Sequence, residues 1–364
     1  MSSPMSFPMG SPQFFSPQKN GTCQCDLCPH RCVLKPSETG RCLVRFNRGG
    51  SPSLPFRGFV SGLAVDPIEK KPLYHFRPGT QILSAGFVGC NLSCPFCQNW
   101  HISQNTESSG RVFSPAELIT QAMQSMAAMQ SIAASQSVAY TYSEPLVHFE
   151  FLLDCMKEGR KAGVANVLVS NGCINTEAAA EILEHCDAAN IDLKCFSAET
   201  YKKILGGCLS TVTGFIQMAV EKGVHLEITT LVVPELNDSE AELDKCRDFI
   251  AELQTGGSAA SGIVVPWHLS AYRPCYKWKT PPTNPSSLIA ATERAREKLD
   301  FVYTGNISHG IHAADTDTHC PGCKKCLISR RGYRADTSGL SPKKDNGKLV
   351  YHCVSCGKKA PVRW

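Results

Sequence analysis

The chain has 364 residues, 42% of them apolar and 19% charged, with a formal net charge of +5. At about 150 residues per domain that length spans roughly two to two and a half domains, and the composition supports a packed core and excludes global disorder. The charge is too small for a dedicated nucleic-acid binder, and no run of about 18 apolar residues predicts a membrane span.

The outlier is cysteine, with 20 residues. Met1 to Asn20 is rich in Ser, Pro, Met and Phe. It lacks the basic start and unbroken apolar core of a signal peptide and the arginines of a transit peptide, so it reads as a disordered tail. A cytoplasmic chain follows, with thiols reduced and available to metals rather than paired as disulfides. Three dense clusters carry 13 of the cysteines, and Cys155, Cys173, Cys186, Cys195, Cys208, Cys246 and Cys275 stand singly as small buried hydrophobes.

The first cluster, Cys25-x2-Cys28-x3-Cys32-x9-Cys42, offers four ligands with Cys23 spare, and Arg31, Arg41 and Arg45 would offset thiolate charge. Residues 21–60 are too few for a large core, so a metal must staple them; zinc and an auxiliary 4Fe-4S cluster both fit.

From residue 61 to 312 the chain alternates strands and helices. Predicted strands are Ile82–Val88, Val138–Tyr142, Asn166–Val169, Ala189–Leu193, Glu227–Val233, Ile263–His268 and Phe301–Thr304. Ser114-Pro115-Ala116-Glu117 is a capping box with proline at the first helical position, and predicts a helix to about Ser135. Further helices are predicted near His148–Ala162, Thr176–His185, Thr213–Lys222, Glu240–Gln254 and Ser287–Lys298. This rhythm predicts a parallel sheet with right-handed crossovers, in either a partial barrel or an open doubly wound sheet.

The second cluster follows the first of these strands: Cys90-x3-Cys94-x2-Cys97, with no fourth cysteine nearby. A closed zinc site wants four ligands, as does an ordinary 4Fe-4S cluster. Three thiolates from one loop leave one iron open to a substrate or cosubstrate. The bland alternative is a zinc site completed by distant His101 or Cys173.

With Phe96 before the last cysteine, this loop resembles the signature of the radical S-adenosylmethionine (SAM) superfamily. The resemblance implies a partial (β/α)6 barrel, a 4Fe-4S cluster on Cys90, Cys94 and Cys97, and SAM chelated to its open iron. It also implies reductive cleavage of SAM to a 5′-deoxyadenosyl radical that takes hydrogen from a substrate. Tyr142-Ser143-Glu144 stands where the superfamily has its "GGE" segment, Ser170-Asn171 forms the next polar strand tip, and Asp192-Leu193-Lys194 resembles the "D-x-K" of glycyl-radical-enzyme activases. The Leu226 to Asp238 stretch resembles an activase strand and turn, with Glu235 where glycine is usual. Pro266-Trp267-His268 resembles the activase "P-x-H" segment and would bring His268 to the SAM site. By charge, Lys194 would pair with the SAM carboxylate, and Glu144 or Asp192 with its ammonium.

The string Asp66 to Phe76, taken with Cys25 to Cys32, is similar to the AmmeMemoRadiSam-system radical SAM enzymes. That similarity implies Memo-type and AMMECR-type partner proteins, a flavodoxin- or ferredoxin-like electron donor, and a substrate the sequence does not name. As a bare stretch, Asp66 to Phe76 is a turn with a charged face.

The third cluster, Cys320-x2-Cys323 and Cys353-x2-Cys356, has the spacing of a zinc ribbon, placed in residues 313–364. Cys326 is a substitute ligand and His319 a bystander. Arg330, Arg331, Arg334, Lys343, Lys344 and Lys348 make the ribbon basic, which reads as a solvated or protein-docking surface rather than a nucleic-acid contact. The fold class is therefore α/β, a radical SAM barrel flanked by a Cys-rich N-terminal metal module and a zinc-ribbon-like C-terminal module. The competing functions are glycyl-radical-enzyme activation and a non-catalytic zinc scaffold that docks partners.

Overall fold

The computed structural model describes residues 12–127, 136–255, 263–307, 316–345 and 348–364. The end of the helix predicted to reach Ser135, the boundary at 312/313 and the first residues of the predicted tail lie outside the described residues.

One eight-stranded sheet organises the chain. Its strands are β1 (Gly62–Pro67), β2 (Gln81–Gly86), β3 (Ser137–Thr141), β4 (Ala165–Ser170), β5 (Ala188–Asp192), β6 (His225–Val232), β7 (Trp267–Ala271) and β8 (Val302–Gly305), and they neighbour one another in chain order. β1 runs antiparallel to β2, and β2 to β8 are all parallel. Between the parallel strands run α1 (Pro115–Ala127), α2 (Phe149–Ala162), α3 (Thr176–Leu183), α4 (Leu209–Glu221), α5 (Glu240–Thr255) and α6 (Pro285–Arg296). A doubly wound sheet reverses its strand order at a switch point. This sheet never does, so that alternative falls away.

Local chemistry starts and stops the helices as the sequence predicts. Glu117 N–H donates to Ser114 Oγ (3.2 Å), and Glu117 Oε2 accepts from Ser114 N–H (2.7 Å), which closes the capping box ahead of α1. Gly163 ends α2 with a left-handed φ of 71°. The apolar residues of β2 to β7 that face the helices (Leu83, Ala85, Tyr140, Leu168, Ile191, Ile228, Leu269) form one continuous core with them. No single helix among the described residues is long and apolar enough to cross a membrane.

The string Asp66 to Phe76 is more than a charged turn. Ile68, Leu73, Tyr74, His75 and Phe76 are buried where the parallel strands begin. The fully buried Glu227 carboxylate on β6 accepts from Tyr74 N–H (2.9 Å), His75 N–H (2.7 Å), His225 Nε2 (3.0 Å) and His268 Nε2 (2.7 Å). Arg330, on the strand Cys326–Arg331, stacks on the Tyr74 ring at 4.1 Å and donates to its carbonyl (2.7 Å), while Pro361 O lies 2.8 Å from His75 Nδ1. The string is a plug that ties Arg330 and Pro361, near the end of the chain, to the floor of the sheet. Each buried donor left unpartnered costs about 1–3 kcal/mol. Glu227→Gln turns half the carboxylate into a donor facing donors, so it should lower stability by about 2–4 kcal/mol, read as a fall in the urea midpoint.

Three expectations need correcting here. Residues 12–20 do not all belong to a tail: Phe15–Pro17 pairs antiparallel with Cys23–Cys25. His268 does not reach the cosubstrate end. It stands near the start of β7, on Glu227 and stacked on Tyr303 (5.4 Å between rings), at the end opposite the cysteine loop. Arg330 is buried, so it adds nothing to the basic surface of the ribbon, whereas Arg331, Arg334, Lys343 and Lys344 are exposed.

Candidate active site

The loop after β2 and the tips of β3, β4 and β5 meet at the opposite end of the sheet. Gly89 makes the loop possible: its φ is 76°, and a Cβ there would lie 2.2 Å from the Cys42 carbonyl oxygen. Glu144 N–H reaches the Gly89 carbonyl (3.4 Å), and Asn99 Nδ2 donates to Tyr142 O (2.6 Å), so the loop and the β3 tip are tied together.

Cys90, Cys94 and Cys97 converge there, near enough for their charges to interact. Burial pushes the Cys94 thiol up to about 11, with the Lys194 ammonium pulling the other way. Burial, then the neighbouring Glu144, holds Cys90 well above the ordinary thiol range. The Cys90 and Cys94 thiols so placed resist ionisation; a bound metal would replace their protons. Two amide groups already point at Cys90 Sγ, from Leu92 N–H (3.4 Å) and Asn171 Nδ2 (3.6 Å), and Ser103 Oγ lies 3.3 Å from Cys97 Sγ. Phe96 is buried in the core beside Leu92 and Cys94 and anchors the loop rather than lining an open surface.

Each remaining predicted residue has a definite place. Glu144 is buried and its carboxylate accepts from Leu146 N–H (3.0 Å), Ser170 Oγ (2.7 Å) and Asn171 N–H (2.9 Å), so it chiefly holds the β3 and β4 tips together. Burial pushes its pKa up to about 7 against those hydrogen bonds. Tyr142 takes a left-handed φ of 73° where the superfamily pattern has glycine, and its hydroxyl reaches back to Asp66 (2.6 Å). Ser143 Oγ is buried with no hydrogen-bond partner among the described residues. Lys194 donates to Asp192 Oδ2 (2.9 Å). Burial works against its charge, but Asp192 and the Cys94 sulfur outweigh it and raise the pKa. Glu235, in the turn where the activase pattern has glycine, has a φ of 67°. Asn237 Nδ2 from that turn donates to Lys194 O (2.6 Å).

Sequence reasoning missed Asn91, whose Oδ1 accepts from Asn171 Nδ2 (3.0 Å) and whose Nδ2 donates to Cys173 O (2.7 Å), bracing the cysteine loop against the β4 tip. It also missed Lys71, buried on Asp66 (2.8 Å) beneath Tyr142. Its only signal was the Lys70-Lys71 pair in an apolar string.

The outer cysteine sets differ from each other. Cys320, Cys323, Cys353 and Cys356 have all four sulfurs within 4.8 Å of one another, with Cys320–Cys356 and Cys323–Cys353 both at 3.6 Å. Cys326 is exposed and outside this group, and pairs with His319 across a strand ladder. Cys25, Cys28 and Cys42 are buried and Cys32 partly so, and of the three nearby arginines Arg45 reaches a sulfur, donating from Nε to Cys25 (3.2 Å). Of the single cysteines, Cys155, Cys173, Cys186, Cys195 and Cys246 are buried as expected.

A family model described as the radical SAM superfamily matches residues 86–245, the span from the cysteine loop into α5. The chain is 34% identical over 358 residues to an uncharacterized protein of Methanocaldococcus jannaschii, covering 97% of this chain and 99% of that one. It is 26% identical over 175 residues to the pyruvate formate-lyase-activating enzyme of Clostridium pasteurianum, covering 46% of this chain and 68% of that one. Among solved structures, a domain of a pyruvate-formate lyase-activating enzyme from Bacteroides vulgatus aligns at 19% identity with a TM-score of 0.39, covering 46% of this chain and 98% of that one. Streptococcus suis SuiB bound to S-adenosylmethionine aligns at 15% identity with a TM-score of 0.47, covering 64% of this chain and 52% of that one. The matched span, the three-cysteine loop at its start and the full-length relative agree: the chain belongs to the radical SAM superfamily, and its partial relative is a pyruvate formate-lyase-activating enzyme.

Proposed function

We propose that this chain cleaves SAM reductively at a 4Fe-4S cluster on Cys90, Cys94 and Cys97, and uses the product to take hydrogen from a protein or metabolite. Family membership implies the cluster and SAM, and the residues fit both. Three thiols converge, two amides face one of their sulfurs, an ion pair stands beside them, and the Ser143 hydroxyl is buried without a partner. The cluster and SAM together supply a one-electron cleavage that yields methionine and a 5′-deoxyadenosyl radical.

The chain's own residues supply position and charge. Lys194 would hold the SAM carboxylate, with Asp192 keeping it cationic. The β3 tip, fixed by Glu144 and Asn99, would present Tyr142 and Ser143 to the ammonium. Asn171 and Leu92 hold Cys90 by its sulfur. We read the sheet as a partial barrel open at this end, residues 21–60 and 313–364 as metal modules on its flanks, and the C-terminal quartet as a zinc site. Zinc at the usual Zn–S length of about 2.3 Å sets tetrahedral sulfurs about 3.8 Å apart, close to the 3.6 Å pairs. Memo-type and AMMECR-type proteins, and a flavodoxin- or ferredoxin-like donor, are the partners we propose.

The observation that carries this reading is the convergence of Cys90, Cys94 and Cys97 beside the Asp192–Lys194 pair. Anaerobically reconstituted protein given SAM and dithionite should release 5′-deoxyadenosine. No product from an iron-loaded sample would overturn the reading. The partial relative favours glycyl-radical-enzyme activation as a second reading. A glycyl radical seen by electron paramagnetic resonance in a co-purified partner would select it.

A further inference from the structure

We propose that Cys25, Cys28, Cys32 and Cys42 hold a second 4Fe-4S cluster, not zinc, set directly against the loop of the first. The spacing alone leaves zinc and iron open, because both take four thiolates. The sulfur geometry separates them. A single zinc ion draws its four sulfurs onto one point, whereas a cluster holds them apart by the width of its four-iron core.

The chain carries its own reference for each case. Among the described residues, the C-terminal quartet is the one set of three or more metal-ligating side chains whose ligand atoms all lie within 4.8 Å of one another. The N-terminal quartet is not drawn together in that way, and neither are Cys90, Cys94 and Cys97, the ligands of the superfamily's iron–sulfur cluster. Yet the N-terminal sulfurs are gathered: Cys28, Cys32 and Cys42, like the spare Cys23, each lie near enough to Cys25 for their charges to interact. They are neighbours at a wider span than the C-terminal quartet.

The surroundings suit an anionic cluster. Arg45 is buried, donates from Nε to Cys25 Sγ (3.2 Å), and is itself held by Glu150 on α2 (2.9 Å), so one fixed cation faces the thiolates. Hydrogen bonds to the sulfurs, burial and net charge are the levers that tune such clusters.

Its position is equally specific. The Cys42 carbonyl occupies the space that any side chain on Gly89 would need, and Gly89 precedes Cys90. His30 Nε2 lies 2.8 Å from the Asn91 carbonyl, and Asn175 N–H donates to Leu27 O (3.0 Å). The module therefore grips the first cluster's loop on one side and the β4 tip on the other. A metal at this site is a neighbour of the catalytic one and not a remote staple.

The test counts metal in the full-length chain after anaerobic reconstitution with iron and sulfide. The wild type should carry about eight irons and eight sulfides, and Cys90→Ala/Cys94→Ala/Cys97→Ala about four of each, from two and one 4Fe-4S clusters respectively. The resonance spectrum of that triple variant should not respond to SAM. Cys25→Ala/Cys28→Ala should also keep about four irons, with a spectrum that SAM does shift. A triple variant holding no iron but an extra zinc, or a folded one whose quartet stays empty, overturns the proposal. Should the triple variant not fold, the double variant decides alone: a fall from about eight irons to about four supports a second cluster, and a wild type already at about four rejects it. Failure of the catalytic reading looks different, as a wild type that carries iron but ignores SAM.

Discussion

Cys94→Ser should fold as the wild type does and release 5′-deoxyadenosine at least about a thousandfold more slowly, well past the 10–100-fold that an altered outer-shell partner costs. The exchange keeps size and shape, and the hydroxyl costs at most about 1–3 kcal/mol if it is left unpartnered, which a chain stable by about 5–15 kcal/mol survives. What changes is the ligand. The Cys94 sulfur is soft and buried, and sits where the Lys194 ammonium favours its anion. A serine oxygen is hard and stays protonated. The cluster ligands then number two from this loop, and the iron count should fall while circular dichroism is preserved. Retained activity with full iron content would show that Cys94 is no ligand, and would return the loop to a structural role.

Much of this was legible in the sequence because local physics governed it. The capping box at Ser114 and Glu117, the polar tips after apolar runs and the cysteine spacings are all properties of a few consecutive residues. They set the alternation of strand and helix and the polar tips that follow the strands; the strand order itself they left open between a partial barrel and a doubly wound sheet. Even the departures from pattern proved informative. Tyr142 and Glu235 replace glycines, and both take left-handed backbone, so these positions demand that conformation whatever side chain occupies them.

His268 shows how a small register error becomes a large functional one. The apolar run Ile263–Pro266 looks like the body of a strand ending at His268. Pro266 has no N–H to donate, and pairing begins only at Trp267. The residue expected at a strand's end is therefore near its start, and it lands on the opposite face of the molecule. The plug was hidden for another reason. Its partners Glu227, Arg330 and Pro361 lie about 150 to 290 residues along the chain from it, and no window of sequence shows a carboxylate gathering two backbone N–H groups and two histidines. Sulfur-to-sulfur spacing is hidden in the same way: it depends on how loops close, and the residue count between cysteines does not fix it.

Asp66→Asn should destabilise the fold by about 3–5 kcal/mol, because it strands a buried ammonium. Lys71 is 2% exposed and donates to Asp66 Oδ2 at 2.8 Å, and Lys70, Tyr142 and Ser84 donate to the same carboxylate at 2.7, 2.6 and 2.8 Å. Burial alone would raise the Asp66 pKa; the hydrogen bonds from the two lysines, Tyr142 and Ser84 outweigh it and hold the group well below the usual carboxylate range. A depressed folded pKa means stability that is present above the unfolded value and lost as pH falls. This contribution should therefore drain away from about pH 4 downward, where the unfolded aspartate first takes up its proton. Asp66→Asn should lack that acid-side slope as well as the stability. Asp66→Asn/Lys71→Met removes both charges and should recover most of the loss, since replacing a buried pair with apolar volume is often neutral. It should not restore SAM turnover. The Tyr142 hydroxyl would still lack the carboxylate that steadies its left-handed backbone, and the β3 tip beside Cys90 depends on that backbone. A single variant within about 1 kcal/mol of wild type, or a double variant with full turnover, would show that the Asp66 network neither holds the plug nor shapes the site.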